Sequence, residues 1–138
     1  MKEDKFTVPV SRPLTMAERT LLGWLLDNGI SKAETYKKQM GDIHVCSMCS
    51  CGCPTIDLAI GDKKERTTGA SQIIADAEGL SPEGILVNVI LHVRENQLSE
   101  LEVFSVDGTK DFGLPTPDKL TITNEPKKPQ QANQGDRE

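Results

Sequence analysis

The chain has 138 residues, a mass of 15.1 kDa and a formal net charge of -5. That length supports one core, and 4% aromatic residues make the core aliphatic. The negative balance excludes non-specific nucleic-acid binding, which needs a basic face, and no run of about 18 apolar residues is present to cross a membrane.

Residues 1–13 read as an extended leader, because Pro9 and Pro13 oppose a helix. Thr15-Met16-Ala17-Glu18 is a capping box. Ala17, Leu21, Leu22, Leu25 and Leu26 follow at helical spacing, and Gly29 is placed to end the helix. Ser31-Lys32-Ala33-Glu34 repeats the capping pattern and predicts a shorter helix with Tyr36 and Met40, ended by Gly41. The two helices form an expected hairpin lying over a sheet.

Strand patterns follow. Residues 44–50 and 55–60 are candidate strands, and 61–69 is a polar loop. Residues 71–77 suit an edge strand or a short helix, and 79–84 is a turn. Residues 85–94 are rich in Ile, Val and Leu and suit a strand covered on both faces. Glu95-Asn96-Gln97 is a turn, and 98–106 returns as the second arm of a long hairpin. Phe112 and Leu114 are expected to dock on the core, before a helical turn at 117–120 and a last strand at 120–122. From Asn124 onward no apolar side chain larger than Ala occurs, so 124–138 is expected to be a disordered tail. The domain itself is expected to span 14–123.

All four cysteines fall in His44-Val45-Cys46-Ser47-Met48-Cys49-Ser50-Cys51-Gly52-Cys53-Pro54. A disulfide framework would spread them along the chain. Clustered, and behind a start that lacks the apolar stretch of a signal peptide, they read as reduced thiols or metal ligands in a cytoplasm. Cys46 and Cys49 have the two-residue spacing of zinc ligands; Cys51 and Cys53 add two sulfurs and His44 a nitrogen. A flat strand opposes this site, because residues i and i+2 sit about 6.6 Å apart, whereas zinc-bound sulfurs lie about 3.8 Å apart. Gly52 and Pro54 offer a bend. Three readings stay open: compact buried thiols, a zinc site and a reversible dithiol.

His92 lies inside a strand with Asn88 and Arg94 on its face, and a partly solvated strand histidine is its simplest role. Glu95, Glu100, Glu102 and Asp107 make an acidic run, read as exposed hairpin positions or as a surface for a basic partner. Trp24, among leucines, reads as core. Gly-rich phosphate loops, the Gly-x-Ser-x-Gly elbow and His-Glu-x-x-His are absent, so no catalytic residue is assigned.

Four segments carry a resemblance. They are Arg12-Pro13-Leu14-Thr15-x-x-Glu18, Leu21-Leu22-x-x-Leu25-Leu26, Cys49-x-Cys51-Gly52-Cys53-Pro54 and Leu98-Ser99-Glu100-Leu101-Glu102-Val103-Phe104-Ser105-x-Asp107-Gly108. From about Arg12 to Leu120 the chain resembles a widespread group of small bacterial proteins without an assigned activity. The resemblance implies a compact bacterial α+β domain and transfers no catalytic residue. The 98–106 hairpin is also similar to those of small proteins encoded near bacterial toxins, which implies an immunity-type role.

The resulting expectation is an α+β fold: an N-terminal helical hairpin on a mainly antiparallel sheet of about four to six strands, with 85–94 and 98–106 central. The expected function is a small non-enzymatic domain that binds a protein partner, as an immunity-type inhibitor or adaptor. No nucleic acid or membrane is involved, and the oligomeric state is left open. The alternative is a zinc-binding or redox-responsive protein using Cys46, Cys49, Cys51, Cys53 and His44.

Overall fold

A computed structural model describes residues 7–123. The tail expected at 124–138 and the first six leader residues lie outside the described residues. Within them, seven strands form one antiparallel sheet in the order β1-β2-β3-β6-β5-β4-β7. The strands are β1 (Thr7–Arg12), β2 (Ile43–Cys49), β3 (Ile56–Ile60), β4 (Gln72–Leu80), β5 (Leu86–Arg94), β6 (Gln97–Ser105) and β7 (Leu120–Ile122). Helix α1 (Met16–Asn28) follows β1, and a 3-10 segment, Ser31–Gly41, follows α1.

The strand count exceeds the expected four to six, and the edge formed by the leader explains the excess. Part of the leader is β1: Thr7–Arg12 pairs with β2, and Pro9, which has no N–H to give, sits on an edge strand. At the other edge β7 is only three residues long. It can approach β4 because Gly79 has no side chain there; a Cβ would lie 1.9 Å from the Lys119 carbonyl oxygen. The stretch 71–77, read as an edge strand or a short helix, lies almost wholly in β4, which runs on to Leu80 inside the expected 79–84 turn; Ile74, Ala75 and Ala77 are buried.

The first helix is capped as its sequence reads. Thr15 Oγ1 accepts from the Glu18 N–H at 3.1 Å, and Glu18 Oε1 accepts from the Thr15 N–H at 2.9 Å. Leu21, Leu22, Leu25 and Leu26 are then buried against the sheet. The expected second α-helix is a 3-10 helix instead, with Ile30 at its N-cap position. Ala33 and Tyr36 are three apart, so they fall on one side of a three-residue turn, and both are buried. Gln39 fastens this segment to the β5–β6 turn: its Nε2 donates to the Asn96 carbonyl and its Oε1 accepts from the Leu98 N–H at 2.8 Å. That turn has positive φ at Glu95 (52°) and Asn96 (62°), as a two-residue hairpin requires.

Helix and 3-10 segment thus cover one face of the sheet over Val45, Leu58, Val89, Leu91, Leu98 and Leu101. On the other face, Ser47, Asp57, Glu100, His92 and Ile73 form a continuous cross-strand row through β2, β3, β6, β5 and β4. Strands β6 and β5 sit fourth and fifth of the seven, where the long hairpin was expected. Phe112 is buried, as its docking role required.

Candidate functional site

The cysteines sit where β2 meets β3. Strand β2 ends at Cys49, and its N–H donates to the Thr55 carbonyl at 3.3 Å, which makes 50–54 a hairpin loop. Thr55 anchors the loop's far end to β6: its Oγ1 donates to the Val103 carbonyl at 2.9 Å and accepts from the Val103 N–H at 2.8 Å. Gly52 turns the loop with φ of 100°, a conformation that favours glycine. The flat-strand objection therefore does not apply, because Cys51 and Cys53 lie beyond the strand, in the turn.

The turn brings Cys49, Cys51 and Cys53 together, with all three sulfurs within 4.8 Å of one another. Cys49 Sγ and Cys51 Sγ are 2.8 Å apart. The Cys51 N–H donates to Cys49 Sγ and the Cys53 N–H to Cys51 Sγ, each at 3.4 Å. All four thiols are free. Burial, followed by the hydrogen-bonded Cys51, pushes Cys49 up to about 12. Burial also opposes ionisation of Cys51, but hydrogen bonds from Cys49, Cys53 and the Cys53 N–H, with the Lys110 charge nearby, outweigh it and hold Cys51 below an ordinary thiol.

Cys46 and His44 are not part of this group. Cys46 occupies the β2 bulge between Val45 and Ser47 and is 4% exposed. Burial, and then the Asp57 carboxylate, push its thiol up, which makes it inert. His44 is opposite Ala59. Among the described residues, the groups of three or more potential ligands include neither residue. The five-ligand set thus reduces to three sulfurs that converge. Two contributors escaped the sequence reading. Lys110 and Asp111 come from the loop after β6, and Asp111 packs so closely that a Cβ on Gly52 would meet its Oδ1 at 2.2 Å. A contact across such a separation leaves no local signal.

Three sulfur donors suit a soft cation such as zinc or Cu(I). Zinc-bound sulfurs stand about 3.8 Å apart, so a slight opening of the Cys49–Cys51 pair accommodates the ion. Three protein ligands leave a fourth position open, the arrangement of sites that exchange a ligand rather than only brace a fold. A cleft of about 240 Å³ runs from Cys49 past Thr55 and Asp57 to Arg66 and Glu100, so the turn opens onto the uncovered sheet face.

A second group on that face is His92, Glu100 and Glu102. Its members already serve one another. Arg94 Nη1 lies 3.3 Å from Glu100, and both nitrogens of His92 are engaged. Of the acidic run, Glu95 and Asp107 are exposed as expected, whereas Glu100 and Glu102 are half-buried. Burial first, then the facing Asp57 and Glu102, raise the Glu100 carboxyl against the lowering pull of His92 and Arg94.

Fold and site together describe a seven-stranded antiparallel sheet, backed by one helix, that carries a three-thiol turn. The chain belongs to the family defined by the domain of unknown function DUF6984, whose profile matches residues 11–115. No curated protein and no solved structure matches the chain. No helix among the described residues is long and apolar enough to cross a membrane.

Proposed function

We propose that this protein is a soft-metal-binding domain whose site is the turn bearing Cys49, Cys51 and Cys53, with zinc or Cu(I) as the ion. The observation that supports it is the convergence of three sulfurs within 4.8 Å in a turn where a strand would have kept them apart. The open fourth position is for solvent or for a ligand supplied by whatever receives the ion. Cys51, held below an ordinary thiol, is the natural first ligand, and binding of the ion releases thiol protons. Four free thiols fit a reducing bacterial cytoplasm. The test is titration of the reduced protein with cobalt(II), followed by sulfur-to-cobalt charge transfer. One equivalent should bind with thiolate absorption, and Cys49→Ser, Cys51→Ser and Cys53→Ser should each reduce it while Cys46→Ser leaves it intact. Absence of a thiolate band, or dependence on Cys46, counts against the proposal.

A second reading is a protein-binding adaptor or immunity-type inhibitor, favoured by one patch. Leu80 and Leu86 face each other across β4 and β5, Val106 follows β6 beside them, and Phe104 lies on the neighbouring rung. They are 45%, 41%, 54% and 39% exposed, and grouped exposed apolar residues mark interaction sites. Phe104→Glu should abolish capture of a host partner that the wild-type chain retains in a pull-down; equal recovery by both would remove this reading.

A further inference from the structure

On the open sheet face, away from the cysteine turn, one histidine is held from both sides. Ser71 Oγ lies 2.5 Å from His92 Nδ1, and His92 Nε2 lies 2.8 Å from Glu102 Oε1. An ionised carboxylate has no proton to give, so Nε2 carries the hydrogen and donates it to Glu102. Neutral imidazole then presents a lone pair at Nδ1, and the Ser71 hydroxyl donates to it. The residues come from three places: Ser71 just before β4, His92 in β5 and Glu102 in β6. The sheet register sets the geometry, because Ile73 is opposite His92 and Glu102 is opposite Ile90, one position along the same face.

We propose that Ser71, His92 and Glu102 form a nucleophilic triad that accepts an acyl group from a small activated ester. A nucleophile bonded to a base, with the base oriented by a third group, is the signature of such chemistry on any fold. Exposure suits the roles. Ser71 is exposed and reachable from solvent, whereas the His92 side chain is only 12% exposed and kept in one orientation. Arg94 adds a positive charge beside the same loop, through its Nε donating to the Gly69 carbonyl at 3.2 Å. In the step itself, Ser71 Oγ bonds to the acyl carbon as its proton passes to His92 Nδ1. The bond from that carbon to the leaving oxygen breaks, and the leaving alkoxide takes the proton from Nδ1. Water repeats the sequence and releases the carboxylic acid, which restores Ser71. Glu102 holds the imidazole and balances the charge it gains in each half.

This triad is independent of the thiol turn, and its test leaves that site aside. The full reduced chain is treated with a fluorophosphonate, whose P–F bond breaks as Ser71 Oγ bonds to phosphorus, and with p-nitrophenyl acetate. One adduct at Ser71 is expected by peptide mapping, absent in Ser71→Ala. His92→Gln should slow labelling and ester hydrolysis about 100-fold or more, the usual contribution of a positioned base. Glu102→Gln should also slow both, and Ser105→Ala should leave them unchanged. Ser71 is exposed, so its alanine variant keeps the fold and decides the matter even if the His92 variant melts early. An unlabelled wild type, or labelling that His92→Gln does not slow, overturns the proposal.

Discussion

Replacing Glu18 by Gln tests how the N-terminal strand is tied to the helix. The Glu18 carboxylate accepts from Arg12 Nη1 and Nη2 at 2.9 Å each and from the Thr15 N–H at 2.9 Å. It is 8% exposed, so the lost contacts are not replaced freely by water. Hydrogen bonds to charged groups contribute about 1.5–3 kcal/mol each when shielded, whereas an exposed ion pair contributes about 0–1 kcal/mol. The Arg12 side chain is 29% exposed, which places the pair between these limits. Glutamine keeps one acceptor for the Thr15 N–H and turns an amide donor toward the guanidinium. The expected loss is therefore about 2 kcal/mol at pH 7, or roughly 5–12 °C in melting temperature.

The pH dependence of that loss follows from the carboxyl itself. Burial opposes its ionisation, but the Arg12 and Thr15 hydrogen bonds outweigh burial and hold it below the usual carboxylate range. A group lowered on folding stabilises above its unfolded value and loses that contribution as pH falls through its folded value. Melting of wild type and Glu18→Gln between pH 3 and pH 7 should thus show a gap that is widest at pH 7 and closes toward the acid end. Equal melting at pH 7, or a gap unchanged at the lowest pH, would refute the reasoning.

Glu100 has the opposite sign. Its carboxyl is raised, chiefly by burial and by Asp57 and Glu102, so ionising it costs stability as pH rises. Glu100→Gln should therefore melt higher than wild type at pH 7 and approach it below about pH 4, as thermal scans would show. Gly79→Ala should release β7, because the added Cβ would meet the Lys119 carbonyl oxygen at 1.9 Å, backbone that cannot swing aside. Hydrogen exchange should then rise at Leu120–Ile122 while β5 and β6 stay protected. Leu101→Ala, at a side chain with 0% exposure, should cost about 2–5 kcal/mol in denaturant unfolding.

Much of the fold was legible because local rules agreed. Thr15 and Glu18 mark the start of α1, the 85–106 stretch shows its hairpin, and Phe112 declares its burial by lacking any other place to go. The sheet edges were less legible. Thr7–Arg12 joins the sheet only by pairing with β2; residues 120–122 read as a strand, but their place at the opposite edge depends on the gap left by Gly79, forty residues before Lys119 in the chain. The 3-10 segment has a helical cap signature at Ser31, yet Ala33 and Tyr36 reach the core through the tighter turn. At the site, the cysteine run was visible, but its division was not. A one-residue bulge separates buried Cys46 from the three turn cysteines, and a bulge is a property of pairing rather than of sequence. Ser71 drew no notice, since only the register of β4 on β5 brings it to His92.

The most direct test of the metal reading is elemental analysis with thiol counting, on protein purified without tags or chelators under reducing conditions. The account predicts near-stoichiometric zinc or copper, three thiols masked until the ion is removed, and buried Cys46 reacting only on denaturation. Protein that contains no metal, takes up none when it is supplied, and titrates Cys49, Cys51 and Cys53 as independent thiols would contradict it.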